Sequence, residues 1–593
     1  MSDQHGGDGA VAAARAHGAQ TMFTLSGGHV FPLYDGAVRA RPPMRILDVR
    51  HEQTAVFAAE ATARLTRSPG LAVLTAGPGV TNGISAITTA HFNGSPVVVL
   101  AGRAPDSRWG SGSLQEFDHP RLLAPITKRA WTEHAAAGIG AAVSEAFALA
   151  AAPHRGPVFL DMSLEALFGP VPDGSVPAPA GPGGLGGAAA SHAAAAAGAA
   201  GSGRAGETEP PDPAAVAEIA GLIARSRRPV LVLGSDVWLG GAASAARAAA
   251  EALSLPVVAN GQGRGILPAG HKLLVTRARA AAFGHADLVI VAGTPLDFRL
   301  GYGEFGGRNG SPPADVIHVA DAPSQIATHR ALAGSAAGDL AAFFERLPDA
   351  TLASLGSRTG PASTGPASTT SARTSGPAWA ATWLPELQAA TARAIAADAA
   401  LLHSDASPIH PMRIYGELAR VLEDDAVVIG DGGDFVSYAG KYIEPQRPGG
   451  WLDPGPYGCL GTGLGYAIAA RIARPAAQVV LLLGDGAAGF SLMDADTLVR
   501  HGLPVVMICG NNGAWGLEKH PMRALYGYDV AADLQPECRY DQVVAALGGA
   551  GEMVTEATGI APALRRAFSS GVPYLVNVIT DPKVAYPRST TGV

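Results

Sequence analysis

The sequence is poor in the residues that mark several large protein classes. Among 593 residues only three are cysteines, Cys459, Cys509 and Cys538, and none is in a CxxC pair. Neither a disulfide framework nor a zinc site is therefore indicated, and a reduced cytoplasm is the natural compartment. Charged residues make up 16% of the chain, and the formal net charge of −7 provides no basic surface for nucleic acid.

Long hydrophobic runs are also absent. The longest runs, such as residues 479–483, are far too short to span a bilayer. The N-terminal residues 1–18 lack the apolar core of a signal peptide. We therefore expect a cytoplasmic protein that does not enter a membrane.

The chain is too long for one hydrophobic core, so its length predicts about three domains. Two linkers divide it: an Ala/Gly/Pro-rich stretch at 169–212, where a short helix in the Ala run is the alternative, and a Ser/Thr/Gly/Pro-rich stretch at 349–382. The predicted blocks are 1–168, 213–348 and 383–580, followed by a C-terminal tail at 581–593.

All three blocks alternate short runs rich in Val, Ile and Leu with Ala-rich helical segments. LAVLTAG at 71–77, PVLVLGS at 229–235 and VVLLLGDG at 479–486 are apolar until they end in Gly or polar residues. Continuous apolar strands of this kind are buried on both faces, as in parallel sheets. The predicted fold is α/β, with three doubly wound parallel-sheet domains that bind ligands at the carboxyl ends of their strands.

An acid and an amide follow two neighbouring runs of the third block. Asp485 and Asn512 are separated by enough residues for one crossover helix and a return strand, so their side chains can meet at one sheet edge. Their oxygens suit octahedral Mg²⁺ completed by phosphate oxygens and water. Gly484 and Gly486 allow the backbone to approach a diphosphate at a helix N-terminus. Each motif alone is also a common turn sequence.

The spacing from GDG to NN resembles the signature of the thiamine diphosphate-dependent enzyme superfamily. The resemblance implies that Asp485, Asn512 and the carbonyl of Ala514 ligate the metal. It also implies that Leu460 wedges between the two rings of the cofactor, while the carbonyl of Gly458 binds the pyrimidine amino group. The bent cofactor would then act as its own base. Without the neighbouring GDG, residues 455–470 could be a glycine-rich helix start with Leu460 in the core.

The first block contains RHE at 50–52, followed by GPG-x-x-N from Gly77 to Asn82. It is similar to the pyrimidine-binding domain of the superfamily, in which the Glu of RHE meets the pyrimidine N1′ across a subunit interface. The resemblance therefore assigns Glu52 to the cofactor ring and implies a homodimer or homotetramer. Alone, Glu52 could be a helix N-terminal charge favoured by the dipole.

Two further segments of the first block resemble parts of acetolactate synthase-like members that point at the reactive side of the cofactor. They contain Gly27, Gly28 and His29 in one and Gln115 in the other. The Gln115 amide could hold the substrate oxygen that becomes anionic, while His29 could equally be a surface loop residue. By the same resemblance, the remaining cofactor contacts are Gly432, Gly433, Ala487 and Trp515.

The central block looks closer to the oxalyl-CoA decarboxylase and 2-hydroxyacyl-CoA lyase branch, whose central domain holds ADP or the CoA nucleotide. Arg277, Arg279 and Arg299 are candidates for phosphate contacts, and Asp321 for a ribose hydroxyl. The alternative is that they are surface arginines and a turn aspartate. The sequence does not distinguish CoA, ADP or a flavin at this position.

Two remaining features concern the substrate. Glu518 could relay the proton of a substrate hydroxyl, or it could pair with Lys519 or His520. Tyr586 and Arg588 in the tail could form a lid over the site, or the tail could be a frayed end.

From these features we expect a 2-hydroxyacyl-CoA lyase that reversibly converts an acyl-CoA ester to formyl-CoA and an aldehyde or ketone. The segment after NN departs from the pattern of acetolactate synthases, which makes acetolactate synthase-like condensation of pyruvate the alternative. Oxalyl-CoA decarboxylase is a third possibility, and a catalytically silent nucleotide-binding protein is a fourth from another class.

Overall fold

The computed structural model describes residues 4–171, 209–307, 310, 312–356 and 377–586. Within these ranges it contains three parallel sheets of six, five and six strands, one in each predicted block. The predicted α/β class with three parallel-sheet domains is therefore confirmed. No helix of the described ranges is both long and apolar enough to cross a membrane.

The first sheet is formed by β1 (Thr21–Thr24), β2 (Arg45–Asp48), β3 (Gly70–Leu74), β4 (Val97–Arg103), β5 (Ala130–Glu133) and β6 (Val158–Ser163). The strands lie in the order β2-β1-β3-β4-β6-β5. The α-helices of this block are Gly6–Ala16, Phe31–Arg39, Glu52–Thr66, Pro78–Asn82, Ile84–Phe92, His119–Leu123, Ile139–Ala151 and Leu164–Phe168. Strands β3, β4 and β6 are buried along their whole length, as a parallel sheet covered on both faces requires.

The central sheet is formed by β7 (Pro229–Leu233), β8 (Val257–Ala259), β9 (Leu288–Ala292), β10 (Asp315–Ala320) and β11 (Gly334–Ala337). Its order is β11-β10-β9-β7-β8. The α-helices are Pro213–Arg225, Ser235–Leu239, Ala243–Leu253, Arg279–His285 and Leu340–Gly356. The first of these begins where Asp212 caps it, its carboxylate accepting the backbone N–H of Ala214.

The third sheet is formed by β12 (Val427–Asp431), β13 (Trp451–Leu452), β14 (Val479–Gly484), β15 (Val506–Asn511), β16 (Ala550–Val554) and β17 (Tyr574–Ile579). Its order, β13-β12-β14-β15-β17-β16, repeats that of the first sheet. The α-helices are Ala378–Ala381, Trp383–Leu402, Met412–Leu418, Asp434–Tyr442, Thr462–Ala473, Asp485–Ser491, Ala495–Arg500, Gly516–Tyr526, Tyr540–Ala546 and Ile560–Ser569.

The predicted linkers are described only in part. The Ala run of 169–212 lies outside the described residues. Of the second linker, residues 349–356 continue the helix Leu340–Gly356. Trp379, which lies within the same predicted linker, and Trp383, directly after it, pack into the core of the central block. The predicted domain boundaries stay predictions.

The first and third blocks share a hydrophobic core, in which the helix Glu52–Thr66 packs on the helix Thr462–Ala473. The approach is close enough to require glycine at Gly465, because a Cβ there would lie 2.7 Å from the Cβ of Phe57 and 2.9 Å from the Thr54 carbonyl oxygen. This packing fixes the start of the helix that carries Glu52 relative to the third sheet.

A buried polar network joins all three blocks. The hydroxyl of Tyr466 donates to Glu60 over 2.7 Å, and the Arg64 guanidinium donates to the Gln262 side-chain oxygen over 3.3 Å. Burial raises the pKa of Glu60. Because buried polar groups without partners are costly, this network holds the blocks in one arrangement.

Candidate functional site

The carboxyl edge of the third sheet brings the GDG and NN loops together through Asp485. This carboxylate is 3% exposed. One oxygen accepts the backbone N–H of Gly486 over 3.0 Å, and the other accepts that of Gly513, from the next loop, over 2.7 Å. Burial raises the pKa of Asp485 to about 6. Through this carboxylate, the loop after β14 is therefore hydrogen-bonded directly to the loop after β15.

The second loop arranges further oxygen groups beside Asp485. The Asn512 side-chain oxygen accepts the backbone N–H of Ala514 over 3.1 Å. The ring of Trp515 packs edge-on against Phe490, with 6.4 Å between ring centres. Asn511, the first residue of the NN pair, points elsewhere: its side chain donates to Asn577 over 3.1 Å. Asn511 is 1% exposed whereas Asn512 is partly exposed, so the second Asn of the pair is the more accessible to a ligand.

Asp431 is a residue of this site that the sequence interpretation missed. It ends β12 and is fully buried, and its two oxygens accept the backbone N–H groups of Gly461 (3.1 Å) and Gly463 (2.8 Å). Burial raises the pKa of Asp431 to about 7. Its hydrogen bonds hold the turn that carries Gly458 and Leu460 at the carboxyl edge of the sheet. The sequence offered one signal by which Asp431 could have been found, namely an acid at the end of a predicted strand.

The other predicted cofactor residues of the third block lie at the same edge. Gly432 and Gly433 follow Asp431, and Gly484 and Ala487 flank the Asp485 loop. Gly458 is exposed, and a Cβ built there would meet no atom within 4 Å. The donor set, a buried carboxylate with an amide and carbonyls around a glycine-lined edge, fits a diphosphate with a hard cation.

Glu52 lies at the start of its helix in the first block and is 7% exposed. The side-chain NH₂ of Asn82 donates to its carboxylate over 3.0 Å. The helix start is fixed to the third block by Asp494, whose carboxylate accepts the Arg50 backbone N–H (2.8 Å) and the Thr54 hydroxyl (2.7 Å). Glu52 and Asn82, each predicted separately to belong to the cofactor site, therefore form a hydrogen-bonded pair. Its contact with a cofactor ring stays a prediction.

A cavity of about 720 Å³ in the first block brings two of the three other predicted catalytic residues together. His29 and Gln115 both line it, together with Gly27, Gly28, Thr75 and Phe168. The Nδ1 atom of His29 is 3.3 Å from the Thr75 hydroxyl. Burial lowers the pKa of His29, which favours the neutral form of its ring. His29 is thus a buried cavity residue rather than a surface loop residue.

A buried His–Asp pair supports the Gly77 loop beside this cavity. His119 accepts the backbone N–H of Gly77 at Nε2 over 2.9 Å, and its Nδ1 lies 3.0 Å from Asp161. Both side chains are fully buried. Their distance in the sequence left no local motif by which to find them. Asp161 fixes the imidazole tautomer and, through it, the turn next to Gln115.

The structure describes two of the three residues predicted to act on the substrate or to close over it. Glu518 is exposed in the first turn of the helix Gly516–Tyr526. Its neighbour Lys519 forms an ion pair with Asp533 instead of Glu518. Tyr586 packs edge-on against Tyr438 with 4.9 Å between ring centres, so the tail begins on the third block. Arg588 lies outside the described residues.

The three arginines predicted to bind a nucleotide are each engaged by protein acceptors. Arg277 donates to Asp398 and to the carbonyl of Lys441, over 3.2 Å for the carbonyl. Arg299 donates to both carboxylate oxygens of Asp297, and Arg279 donates to the Arg299 carbonyl. The nucleotide role of these arginines stays a prediction.

Asp321, the predicted ribose ligand, faces the first block. Its carboxylate is 3.0 Å from Nδ1 of His154 and 3.5 Å from the Arg155 guanidinium. A second buried acid, Asp236, lies beside it, and burial followed by repulsion from Asp321 raises the pKa of Asp236 to about 7. The structure therefore places Asp321 in an interblock cluster; its ribose role also stays a prediction.

Comparison with known proteins covers nearly the whole chain. The N-terminal, central and C-terminal domain models of thiamine pyrophosphate enzymes match residues 4–122, 216–347 and 431–578. A probable acetolactate synthase of Mycobacterium bovis is 46% identical over 580 residues, covering 97% of this chain and 95% of the relative. The 2-hydroxyacyl-CoA lyase 2 of Homo sapiens is 32% identical over 605 residues, covering 98% and 90%.

The C-terminal domain model covers Asp485, and each of the three domain models overlaps one of the three sheets described above. They also confirm the predicted superfamily. The chain belongs to the thiamine pyrophosphate enzyme family, as a thiamine diphosphate-dependent enzyme related to both acetolactate synthases and 2-hydroxyacyl-CoA lyases.

Proposed function

We propose that the enzyme joins two 2-oxo acids, with pyruvate as the donor, in an acetolactate synthase-like condensation. This replaces the 2-hydroxyacyl-CoA lyase expected from the sequence as the first candidate. The observation that carries it is that Arg277, Arg279 and Arg299, the arginines predicted to bind the phosphates of CoA, each already donate to a protein acceptor. The 46% identity to relatives named acetolactate synthase supports the same conclusion.

The cavity supports a small substrate. It is lined by the apolar side chains of Leu114, Leu164 and Phe168, and its polar groups are those of Ser26, His29, Thr75, Gln115 and Glu165. A methyl group would contact the apolar wall, and the Gln115 amide would donate to the oxygen that gains negative charge. Neutral His29 would accept or donate a proton at a substrate oxygen.

We propose that Asp485, Asn512 and the Ala514 carbonyl hold Mg²⁺, and that this cation holds the diphosphate. When bound, thiamine diphosphate supplies the electron sink that accepts the electrons of the bond to the departing carboxylate. Glu52 would hold a proton at the pyrimidine ring nitrogen, and Asn82 would orient its carboxylate by the hydrogen bond already present. Asp431 would keep the Gly458 carbonyl and Leu460 against the cofactor.

A second candidate remains the 2-hydroxyacyl-CoA lyase reaction. It is favoured by Glu518, whose exposed carboxylate has no hydrogen-bond or ion-pair partner among the residues that the structure describes. A carboxylate of this kind is free to accept the hydroxyl proton of a 2-hydroxyacyl substrate. The 32% identity to lyases of this name agrees with it.

One assay panel separates the two candidates. Purified enzyme with thiamine diphosphate and Mg²⁺ is given pyruvate, oxalyl-CoA or 2-hydroxyacyl-CoA esters, and acetolactate, formyl-CoA and aldehyde are measured. We expect acetolactate from pyruvate alone, and no product from Asp485→Asn protein. Cleavage of the 2-hydroxyacyl-CoA esters without any acetolactate would reject the condensation.

We further propose a homodimer or homotetramer in which Glu52 of one chain serves the cofactor of another, as the resemblance implies. Large apolar side chains are exposed near the predicted interface, including Phe92, Phe490 and Met493. Analytical ultracentrifugation at assay concentration tests the proposal, and a fully active monomer would contradict it. A cytoplasmic location stays a prediction.

A further inference from the structure

The carboxyl edge of the central sheet carries a cluster of metal-ligating side chains apart from the Asp485 edge. Asp236 lies in the first turn of the helix that follows β7, and Asp321 directly follows β10. His154 reaches the same place from the first block, after the helix Ile139–Ala151. One ligand atom from each of the three residues lies within 4.8 Å of the others.

The surroundings of the Asp236 carboxylate point to a ligand. It is 8% exposed, and within the described residues its carboxylate accepts no hydrogen bond and has no ion-pair partner within 4 Å. Asp321 is 5% exposed, and its second oxygen accepts no hydrogen bond. A buried carboxylate normally has donors or a cation, because leaving it without either is costly.

The backbone leaves room for the cluster. Gly94 has a φ of +60°, and a Cβ there would lie 2.7 Å from Nε2 of His154 and 3.6 Å from the Asp236 carboxylate. A Cβ at this position would displace the His154 ring, whereas its distance from Asp236 is that of an ordinary contact. The fold therefore keeps His154 and Asp236 in close approach.

The positive groups around the cluster are mostly committed elsewhere. Arg155 contacts Asp321 through the oxygen that faces away from His154. Lys128 donates to the Ala152 carbonyl over 2.7 Å, and Arg299 is bound to Asp297. Two carboxylates therefore face one contacting guanidinium and the His154 imidazole, so the charge is balanced either by a proton on that ring or by a metal cation in its place.

We propose that His154, Asp236 and Asp321 bind one divalent transition-metal cation that fastens the first block to the central block. One imidazole and two carboxylates suit such a cation. The 3.0 Å between His154 Nδ1 and the Asp321 oxygen equals the separation of adjacent ligands at right angles with bonds of ~2.1 Å. The site is independent of the cofactor and of the proposed reaction.

The test uses Co²⁺ as the probe, because its visible absorption reports the ligands around it. Full-length protein carrying Asp485→Asn and His5→Gln, which remove the proposed Mg²⁺ site and a second group of possible ligands (His5, Asp8 and Asp35), is stripped with a chelator. Bound Co²⁺ is then measured by equilibrium dialysis and absorption without thiamine diphosphate or Mg²⁺. We expect one Co²⁺ per chain and a higher melting temperature when Co²⁺ is present.

Three variants in the same background identify the ligands. Asp236→Asn and His154→Gln should weaken Co²⁺ binding by at least about tenfold and abolish the metal-dependent rise in melting temperature. Asp315→Asn, which changes an exposed acid at the start of β10, the strand that Asp321 follows, should bind Co²⁺ normally. Circular dichroism checks folding, and if Asp236→Asn fails to fold, His154→Gln decides the test alone.

The proposal is overturned if the parent protein retains no Co²⁺. It is equally overturned if Co²⁺ binding survives both Asp236→Asn and His154→Gln. In either case the cluster holds a proton in place of a metal.

Discussion

Two sheet edges of this enzyme contain buried aspartates at strand ends, yet the surroundings of those aspartates differ. Asp485 in the third sheet receives backbone N–H groups from its own loop and from the adjacent loop. Asp236 in the central sheet receives none among the described residues, and its neighbours include His154 from another block. A local motif thus builds the first edge, whereas contact between blocks builds the second.

The difference separates two roles. The Asp485 edge belongs to the part of the chain that matches a cofactor-binding domain, and its glycines leave the backbone open to a ligand. The central edge has its arginines bound to protein groups and its acids turned toward the first block. We therefore expect changes at the first edge to alter catalysis and changes at the second to alter stability.

Asp485→Asn should have the largest effect. The amide is neutral and has only one oxygen. We therefore expect cation and cofactor binding to weaken and turnover of pyruvate to fall by more than about 100-fold. Calorimetry with thiamine diphosphate and Mg²⁺, together with the acetolactate assay, measures this. Asp496→Asn, which removes an acid paired with Arg500, is the control and should retain activity. Full activity of the Asp485 variant would remove the distinction between the two edges.

Glu52→Gln should lower turnover by roughly 10²- to 10⁴-fold, the range for loss of a general acid–base group. The amide keeps the shape of the side chain, so the melting temperature should change little. Single-turnover kinetics at saturating cofactor separate this effect from loss of binding. An unchanged rate would reject the assignment of Glu52.

Asp431→Asn should change how stability depends on pH. The folded-state pKa of about 7 lies above the usual 3.8, so the folded protein binds the proton more tightly than the unfolded chain. Stability from this group is full below pH 4 and is lost as the pH rises through 7, by a few kcal/mol at most, or about 1.4 kcal/mol per pH unit. Denaturant unfolding between pH 4 and 8 should show this slope in the parent and not in the variant.

Arg277→Met should affect stability more than chemistry. It removes the contacts of Arg277 with Asp398 and the Lys441 carbonyl, and we expect a loss of about 1–3 kcal/mol in the free energy of unfolding. Pyruvate turnover of the folded variant should stay within about twofold of the parent. A selective rise in KM for a CoA ester would instead support a nucleotide site here.

Glu518→Gln should have the smallest effect. If pyruvate is the substrate, this exposed carboxylate has no proton to move and turnover should be unchanged within about twofold. A large loss limited to cleavage of 2-hydroxyacyl-CoA esters would favour the second candidate function. The same protein preparation serves both assays, so the comparison is internal.

Much of the fold could be predicted because buried parallel strands have a simple signature. The apolar runs ending near Gly77, Gly234, Gly293, Asp431 and Asp485 all became strands. The edge strands β13 and β16 were not predicted, since one has two residues and the other is half-buried. Short edge strands bury too little apolar surface to leave a clear pattern.

The site divides in the same way. Asp485, Asn512 and Glu52 lie in short motifs, so the sequence alone pointed to them. His119 and Asp161 are far apart in the chain and meet only across the first sheet.

The sequence by itself determined the α/β class, the three sheets and the loops that meet at the Asp485 edge, because periodicity and glycine-flanked polar residues are local properties. The tertiary structure alone decided that Arg277 is engaged by Asp398, and that Asp236 approaches His154. These pairings join residues from different elements and blocks. Their energies depend on distance and burial in the folded chain, which residue order does not encode locally.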